Sequence, residues 1–186
     1  MARKILDSLY NASGWLAAFF LMTICLLVVC QVGLNSVDRI STLITGTAVG
    51  LTIPSYADFT GFFLAASSFL ALAYTMRSGS HIRVTLIFSN LPASVQKVLE
   101  GWCLFFAATA TIYFSYYTGY LVYESFIYND LSPGMIAIPL WIPQTAMLLG
   151  LVILSISLID DLICLLFGKT ISYYKQFEET VKKHNE

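Results

Sequence analysis

Charged side chains are scarce in this sequence, and their scarcity excludes a water-soluble fold. Only 11% of the 186 residues are charged, whereas 58% are hydrophobic; a soluble globular chain carries about 25% charged residues. A chain this apolar would lack a polar exterior in water, so lipid must be the solvent for most of it. The formal net charge of −1, without a basic patch, leaves no footprint for nucleic acid.

Residues that bind metals or cofactors are also few. The only two histidines, His81 and His184, lie outside the long apolar segments, so no such segment supplies an axial histidine for haem. The four cysteines form no C-x-x-C pair and are interpreted as small buried hydrophobic residues. No catalytic triad, phosphate-binding loop or HExxH motif is present. The sequence therefore argues against an enzyme, and we expect no cofactor or metal in this chain.

What the sequence does contain is four apolar segments long enough to cross a bilayer, which takes roughly 20 residues. They cover approximately residues 15–37, 56–76, 98–123 and 140–159. Open strands cannot cross lipid because each unpaired backbone group costs several kcal/mol, so all four are predicted to be helices. The first is too long for a signal-peptide core. The expected fold is all-α, a single four-helix membrane domain over residues 1–186.

The distribution of Lys and Arg predicts the orientation of the chain. If both termini are cytoplasmic, nine of the ten basic residues lie inside and only Arg39 lies outside. The outer segment 124–139 then carries no basic residue. An even number of spans agrees with termini on one side.

A polar connector, residues 77–92, separates the second and third spans. It contains Arg77, His81 and Arg83 around a short apolar patch, and we interpret it as a cytoplasmic segment with an amphipathic interfacial helix. The two arginines either bind lipid headgroups or a partner's rim, or only set the topology. His81 either titrates near neutral pH or caps the connector. The tail, residues 168–186, is charged and expected to be solvated.

The two outer connections differ in pattern. Residues 38–53 are predicted to form a connection that lies against the outer membrane face. Residues 129–143 are interpreted as a turn, an extended apolar piece and a helix start, with Trp141 as an interfacial anchor. Asp58, at the positive end of the second span, either stabilises that end or pairs with a partner's basic residue. Glu124 is either a docking residue for a periplasmic protein or a solvated rim charge.

Small residues form stripes on the second and third spans, and such stripes let helices approach closely in lipid. Glu100, near the start of the third span, is expected to stay solvated. Tyrosines crowd the outer half of that span and form either an interfacial belt or a surface for a partner. The stripes are Ala57, Gly61, Ala65 and Ser68 on the second span, and Ala108, Thr111, Ser115 and Gly119 on the third.

The middle of every span is free of ionisable residues and of internal proline. Carriers need polar groups or broken helices at membrane depth to bind their substrates and ions. Four helices without them are not expected to move a substrate alone, so the chain is predicted to act by packing against another protein. A self-associating channel or small exporter is the alternative.

Two motifs resemble a known family. Residues 73–86, AYTMRSGSHIRVTL, and residues 132–143, SPGMIAIPLWIP, followed by Gly150, are similar to the small, DctQ-type membrane subunit of tripartite ATP-independent periplasmic (TRAP) transporters. The likeness covers roughly residues 10–167. Many members carry an acidic pair at the start of the second helix, where this chain has only Asp58.

The resemblance implies a role and partners. A large, DctM-type membrane subunit would carry the organic acid and the coupling sodium ions, and a periplasmic DctP-type protein would capture the acid, typically a C4-dicarboxylate or a sialic acid. The small subunit would brace the large one in the bacterial inner membrane and help to receive the loaded binding protein. The substrate itself is not readable from this chain.

Overall fold

The structure, a computed structural model, describes residues 2–47, 49–77 and 93–166. Within these residues the chain forms four helices: α1 (Ala2–Thr45), α2 (Tyr56–Arg77), α3 (Ala93–Ile127) and α4 (Trp141–Leu166). Each contains a segment long and apolar enough to cross a membrane. The predicted all-α fold with four membrane-spanning helices is therefore confirmed. The predicted interfacial helix and the tail lie outside the described residues and stay predictions.

Helix α1 is much longer than the predicted span 15–37. It has 44 residues, or about 66 Å at 1.5 Å per residue, and it includes the first half, residues 38–45, of the segment that was predicted to be the first outer connection. The physical reason is that no proline or glycine lies between Gly33 and Gly46. Gly46 adopts a φ of 74°, and its N–H donates to the carbonyl of Thr42 at 3.0 Å, which is a typical glycine C-cap.

The other helix boundaries lie closer to their predictions. Helix α2 follows the predicted span to within one residue, and α3 begins directly after Pro92. Helix α4 continues past residue 159 to Leu166. Pro143 lies in its first turn, where a missing N–H costs nothing.

The helices pack in an open row in the order α1, α2, α4, α3. Helix α1 packs along α2, α2 along α4 and α4 along α3, whereas α1 only touches α4. We call the side on which α1 and α3 end the loop side, and the opposite side the terminal side. Because the row is open, the two outer helices each keep a broad surface that no described residue of this chain covers.

The centre of the row is a backbone contact between α2 and α4. An ideal Cβ on Gly150 would lie 2.5 Å from the carbonyl carbon of Phe69 and 2.6 Å from its oxygen. The surrounding surface is built from small buried residues: Ala66, Ser67 and Ala73 of α2 and Ser157 of α4. Small residues are what allows helices to associate in lipid, where apolar burial gives little drive.

The outer helices attach to this central pair on either side. On the α1 side, the ring of Tyr74 lies across Gly14, where a Cβ would be 2.7 Å from the ring carbon Cγ. On the other side, Leu104 and Ala108 of α3 form a buried cluster with Leu158 of α4.

Glu100 corrects a prediction, because its side chain is 9% exposed and not solvated. It lies one helical turn before Leu104, on the face of α3 that packs against α4. Position on this face, not nearness to the helix end, therefore decides its environment.

The two predicted stripes of small residues have different environments. On α3, Ala108 and Thr111 are buried, and a Cβ on Gly119 would make ordinary contacts with Leu148 of α4. On α2, Gly61 has nothing within 4 Å of an ideal Cβ, and Ala57 and Ser68 are exposed. Most of the α2 stripe thus faces away from the described part of this chain, and only Ala65 is half-buried.

We expect Gly150→Ala to destabilise the protein, because the added methyl group meets backbone atoms of α2 that cannot rotate away. Overpacking of this kind costs about 1–3 kcal/mol. The measurement is the thermal unfolding midpoint of the purified protein in detergent. Gly61→Ala is the matched control, since a methyl group there enters open space, and its midpoint should be unchanged or slightly higher. Equal midpoints for both variants would contradict the α2–α4 contact.

Candidate interface on the loop side

The C-terminal part of α1 holds the first loop through one buried side chain. Gln31 is 4% exposed. Its Oε1 accepts the N–H of Ile53 at 2.9 Å, and its Nε2 donates to Thr52 Oγ1 at 3.2 Å and to Asn35 Oδ1 at 3.1 Å. Each polar atom of the amide therefore has a protein partner, which a polar group at this depth requires. The loop consequently folds back along α1 from its end to the level of Gln31.

A second anchor of the same loop is Asp38. Its Oδ1 accepts the N–H groups of Val49 at 2.6 Å and Gly50 at 2.8 Å. Hydrogen bonds to an ionised carboxylate are stronger than neutral ones. Asp38, which lies in the segment predicted as a loop, is thus a helical residue that orders the loop.

The second loop forms a short hairpin before α4. The N–H of Ser132 donates to the carbonyl of Ile138 at 2.8 Å, and the N–H of Leu140 donates to that of Asp130 at 2.9 Å. Leu131 and Pro139 pair as an isolated antiparallel bridge. The predicted order of turn, extended piece and helix start over residues 129–143 agrees with this geometry.

The two loops meet at the start of α2. Ser55 precedes the helix with a φ of 55°, and its Oγ accepts the N–H of Ile136 at 2.9 Å. Gly134 packs closely against the Asp58 carboxylate and Ser55 Oγ, so a Cβ there would have to displace these two side chains. The second motif is thus in contact with the start of α2 and is tied to it through Ser55.

Three of the residues predicted as interface residues lie on this side of the protein. Asp58 is half-buried beside Gly134, and its two predicted roles stay predictions. Glu124 is half-buried on α3, where it accepts a hydrogen bond from Tyr120. Trp141 packs edge-on against Phe126 with a centroid distance of 5.8 Å.

The other predicted interface residues belong to the connector. Arg77 is the last residue of α2, and its side chain is not among those described. His81 and Arg83 lie outside the described residues, so their roles stay predictions. The structure therefore brings Asp58 and the second loop together but does not connect them with the connector's basic residues.

Sequence reasoning missed the residues that fix the loops and one buried acid. Gln31 carried a signal, because it is a lone polar residue inside an apolar run. Nothing in the sequence indicated the roles of Ser55 and Gly134, except that both lie among residues that are typical of turns. On the terminal side, Asp161 is 1% exposed, whereas its neighbour Asp160 is half-buried.

The outer half of α3 presents aromatic rings to the surroundings. Tyr113, Tyr116, Tyr117, Tyr120 and Tyr123 are all exposed. The Tyr113 and Tyr117 rings lie 4.6 Å apart between centroids. This exposure agrees with a belt in the membrane interface and equally with a surface for a partner. In the described ranges, 2–47, 49–77 and 93–166, no three His, Cys, Asp or Glu side chains group closely enough to hold a metal ion.

We expect Ser55→Gly to release the second loop, because it removes the acceptor for Ile136 while glycine still suits the positive φ. A net hydrogen bond of about 1 kcal/mol corresponds to roughly five-fold faster opening. The measurement is the hydrogen-exchange rate of the Ile136 amide in detergent. Thr60→Ala serves as the control, since Thr60 bonds only to the carbonyl of Tyr56 in its own helix and should leave the rate unchanged. Unaltered exchange in Ser55→Gly would refute the anchoring role.

Comparison with known proteins identifies this arrangement. A family model described as tripartite ATP-independent periplasmic transporters, DctQ component, matches residues 47–168, which is more than half of the chain. The match starts after α1 and contains α2, α3, α4 and both motifs. No curated protein and no solved structure matches the chain. The chain belongs to the DctQ component family and is a small component of a TRAP transporter.

Proposed function

We propose that the chain is a non-catalytic subunit that braces the large, sodium-coupled membrane subunit of the transporter and helps to receive a loaded periplasmic binding protein. The observation that carries the proposal is the family match on a chain whose spans lack any ionisable residue at mid-depth. Ionisable groups inside the membrane mark substrate and ion paths. On this proposal the organic acid and the sodium ions bind in the large subunit, and this chain binds neither.

The open row of helices supports the bracing role. A closed bundle would cover its own apolar faces, whereas this row leaves α1 and α3 with broad exposed apolar surfaces. The α2 stripe with Gly61 is also open, and small residues favour a close helix–helix contact. These surfaces suit a large membrane partner on one side of the row and lipid on the other.

The folded loops support the docking role. Gln31, Asp38 and Ser55 tie both loops to helices, so the loop side offers an ordered surface. Pre-organised surfaces bind with less ordering cost than flexible ones. By the distribution of Lys and Arg, this side would face the periplasm of a bacterial inner membrane, and Arg77, His81 and Arg83 would lie at the cytoplasmic lipid headgroups.

Reconstitution in liposomes tests the proposal. We expect this chain alone to give no sodium-driven uptake of labelled succinate or N-acetylneuraminate, and the large subunit with binding protein but without this chain to lose uptake at least ten-fold. All three proteins together should transport one of these or a related carboxylate. Flux through this chain alone would support the channel alternative, and full uptake without it would refute the bracing role.

A further inference from the structure

The inward side of α1 is a contact stripe with a spacing of three or four residues. On the terminal half it contains the buried residues Tyr10, Ser13 and Ala17, which face α2. Beyond them it reaches Gln31 and Asp38, which hold the first loop. Beside α2 this stripe is mainly apolar. Beside the first loop, where it contacts main-chain groups instead of a helix, it is polar.

The outward side of α1 carries a second stripe with the same spacing, which we call the outer stripe. Its part beside α2 is Trp15, Phe19, Met22, Leu26 and Val29. These side chains are 60–79% exposed. A spacing of alternating four and three residues is the pattern by which one helix packs along another.

The outer stripe does not end where α2 ends. It continues through Gly33, Val37, Ile40 and Ile44, and its three large side chains are 53–78% exposed. Because Gln31 holds residues 52–53 just before α2 begins, the residues after Gln31 project past the start of α2. Fourteen residues of helix span about 21 Å.

The projecting part of α1, residues 32–45, is amphipathic. Its apolar side extends beyond the outer stripe to Val32 and Leu43, which are 57% and 81% exposed, and the opposite side carries the polar residues Asn35, Asp38, Arg39 and Thr42. Lipid on all sides would oppose so many polar groups, and water on all sides would oppose a continuous apolar stripe. An amphipathic helix is typical of a segment that is covered by an apolar partner on one side only.

Gly33 lies on the outer stripe just past the level of Gln31. An ideal Cβ there meets nothing within 4 Å, so no contact inside the described part of the chain requires a glycine. Glycine is among the poorest helix formers. A glycine within an apolar stripe is the residue that lets a second helix approach closely.

We propose that the outer stripe seats a helix of the large membrane subunit, which crosses the bilayer beside α1 and continues past its surface for about 20 Å. The inference rests on the proposed function and specifies its surface. A water-soluble partner cannot cover the part of the stripe that lies inside the membrane. Lipid cannot cover the part beyond the membrane surface, where polar side chains lie beside the stripe. Only a helix can follow the stripe through both regions.

Photo-crosslinking in the assembled complex tests this surface. A benzoylphenylalanine at position 40, on the outer stripe, should form a covalent adduct with the large subunit. The same group at position 42 is the matched control, because Thr42 is exposed on the opposite side of α1 and its hydroxyl donates to the carbonyl of Asp38 in the same helix. The expected adduct yield at position 40 is at least ten times that at position 42.

The outcomes separate the surface from the function. An adduct of twice the mass of this chain would mean that a second copy occupies the stripe, and no adduct in a complex that still co-purifies would mean that lipid does; either result overturns the proposal. If the unsubstituted chain fails to co-purify with a large subunit, the proposed function itself fails.

A second pair of variants tests the stripe by affinity. Ile40→Lys should reduce co-purification of the large subunit at least ten-fold, because it places a charge in the apolar contact, whereas Thr42→Lys should leave it within two-fold. Gly33→Leu should weaken the complex in the same direction by blocking close approach. All three substitutions lie on exposed positions, so the unfolding midpoint of the isolated chain should not fall. Equal co-purification of Ile40→Lys and Thr42→Lys would contradict the proposal.

Discussion

The close approach of α2 and α4 at Gly150 and Phe69 is the contact on which the remainder of the structure depends. In lipid, helices gain little from hiding apolar side chains, so association relies on close packing of small residues. The central pair has such a surface, and α1 and α3 attach to it from opposite sides. A row with its tightest contact at the centre keeps its shape without closing into a bundle, and this leaves faces free for a partner.

The loops follow from a second constraint, that buried polar groups need partners. The first loop descends beside α1 and would leave main-chain N–H groups unpaired near the membrane, but Gln31 and Asp38 accept three of them. The second loop donates to Ser55 across the start of α2. A few side chains at the membrane-spanning helices are thus enough to order both loops.

Sequence pattern predicted the features that depend on composition along the chain. The four helices, the order within the second loop and the family follow from runs of apolar residues and from two motifs. It missed features that depend on which face of a helix meets another. Glu100 and Asp161 are buried because they lie on contact faces, and the length of α1 was underestimated because threonines and isoleucines after Asp38 resembled a connection, although no residue there stops a helix. Only the structure shows that most of the α2 stripe of small residues faces away from the other helices.

The two stripes of α1 show how one helix can serve two partners with different chemistry. Its inner stripe carries Gln31 and Asp38 where a loop replaces α2, since main-chain groups need acceptors there. Its outer stripe stays apolar over the same residues. If both sides faced the same surroundings, both would change together. On the proposed function, this asymmetry places the chain's own helices and first loop on one side of α1 and an apolar neighbour on the other.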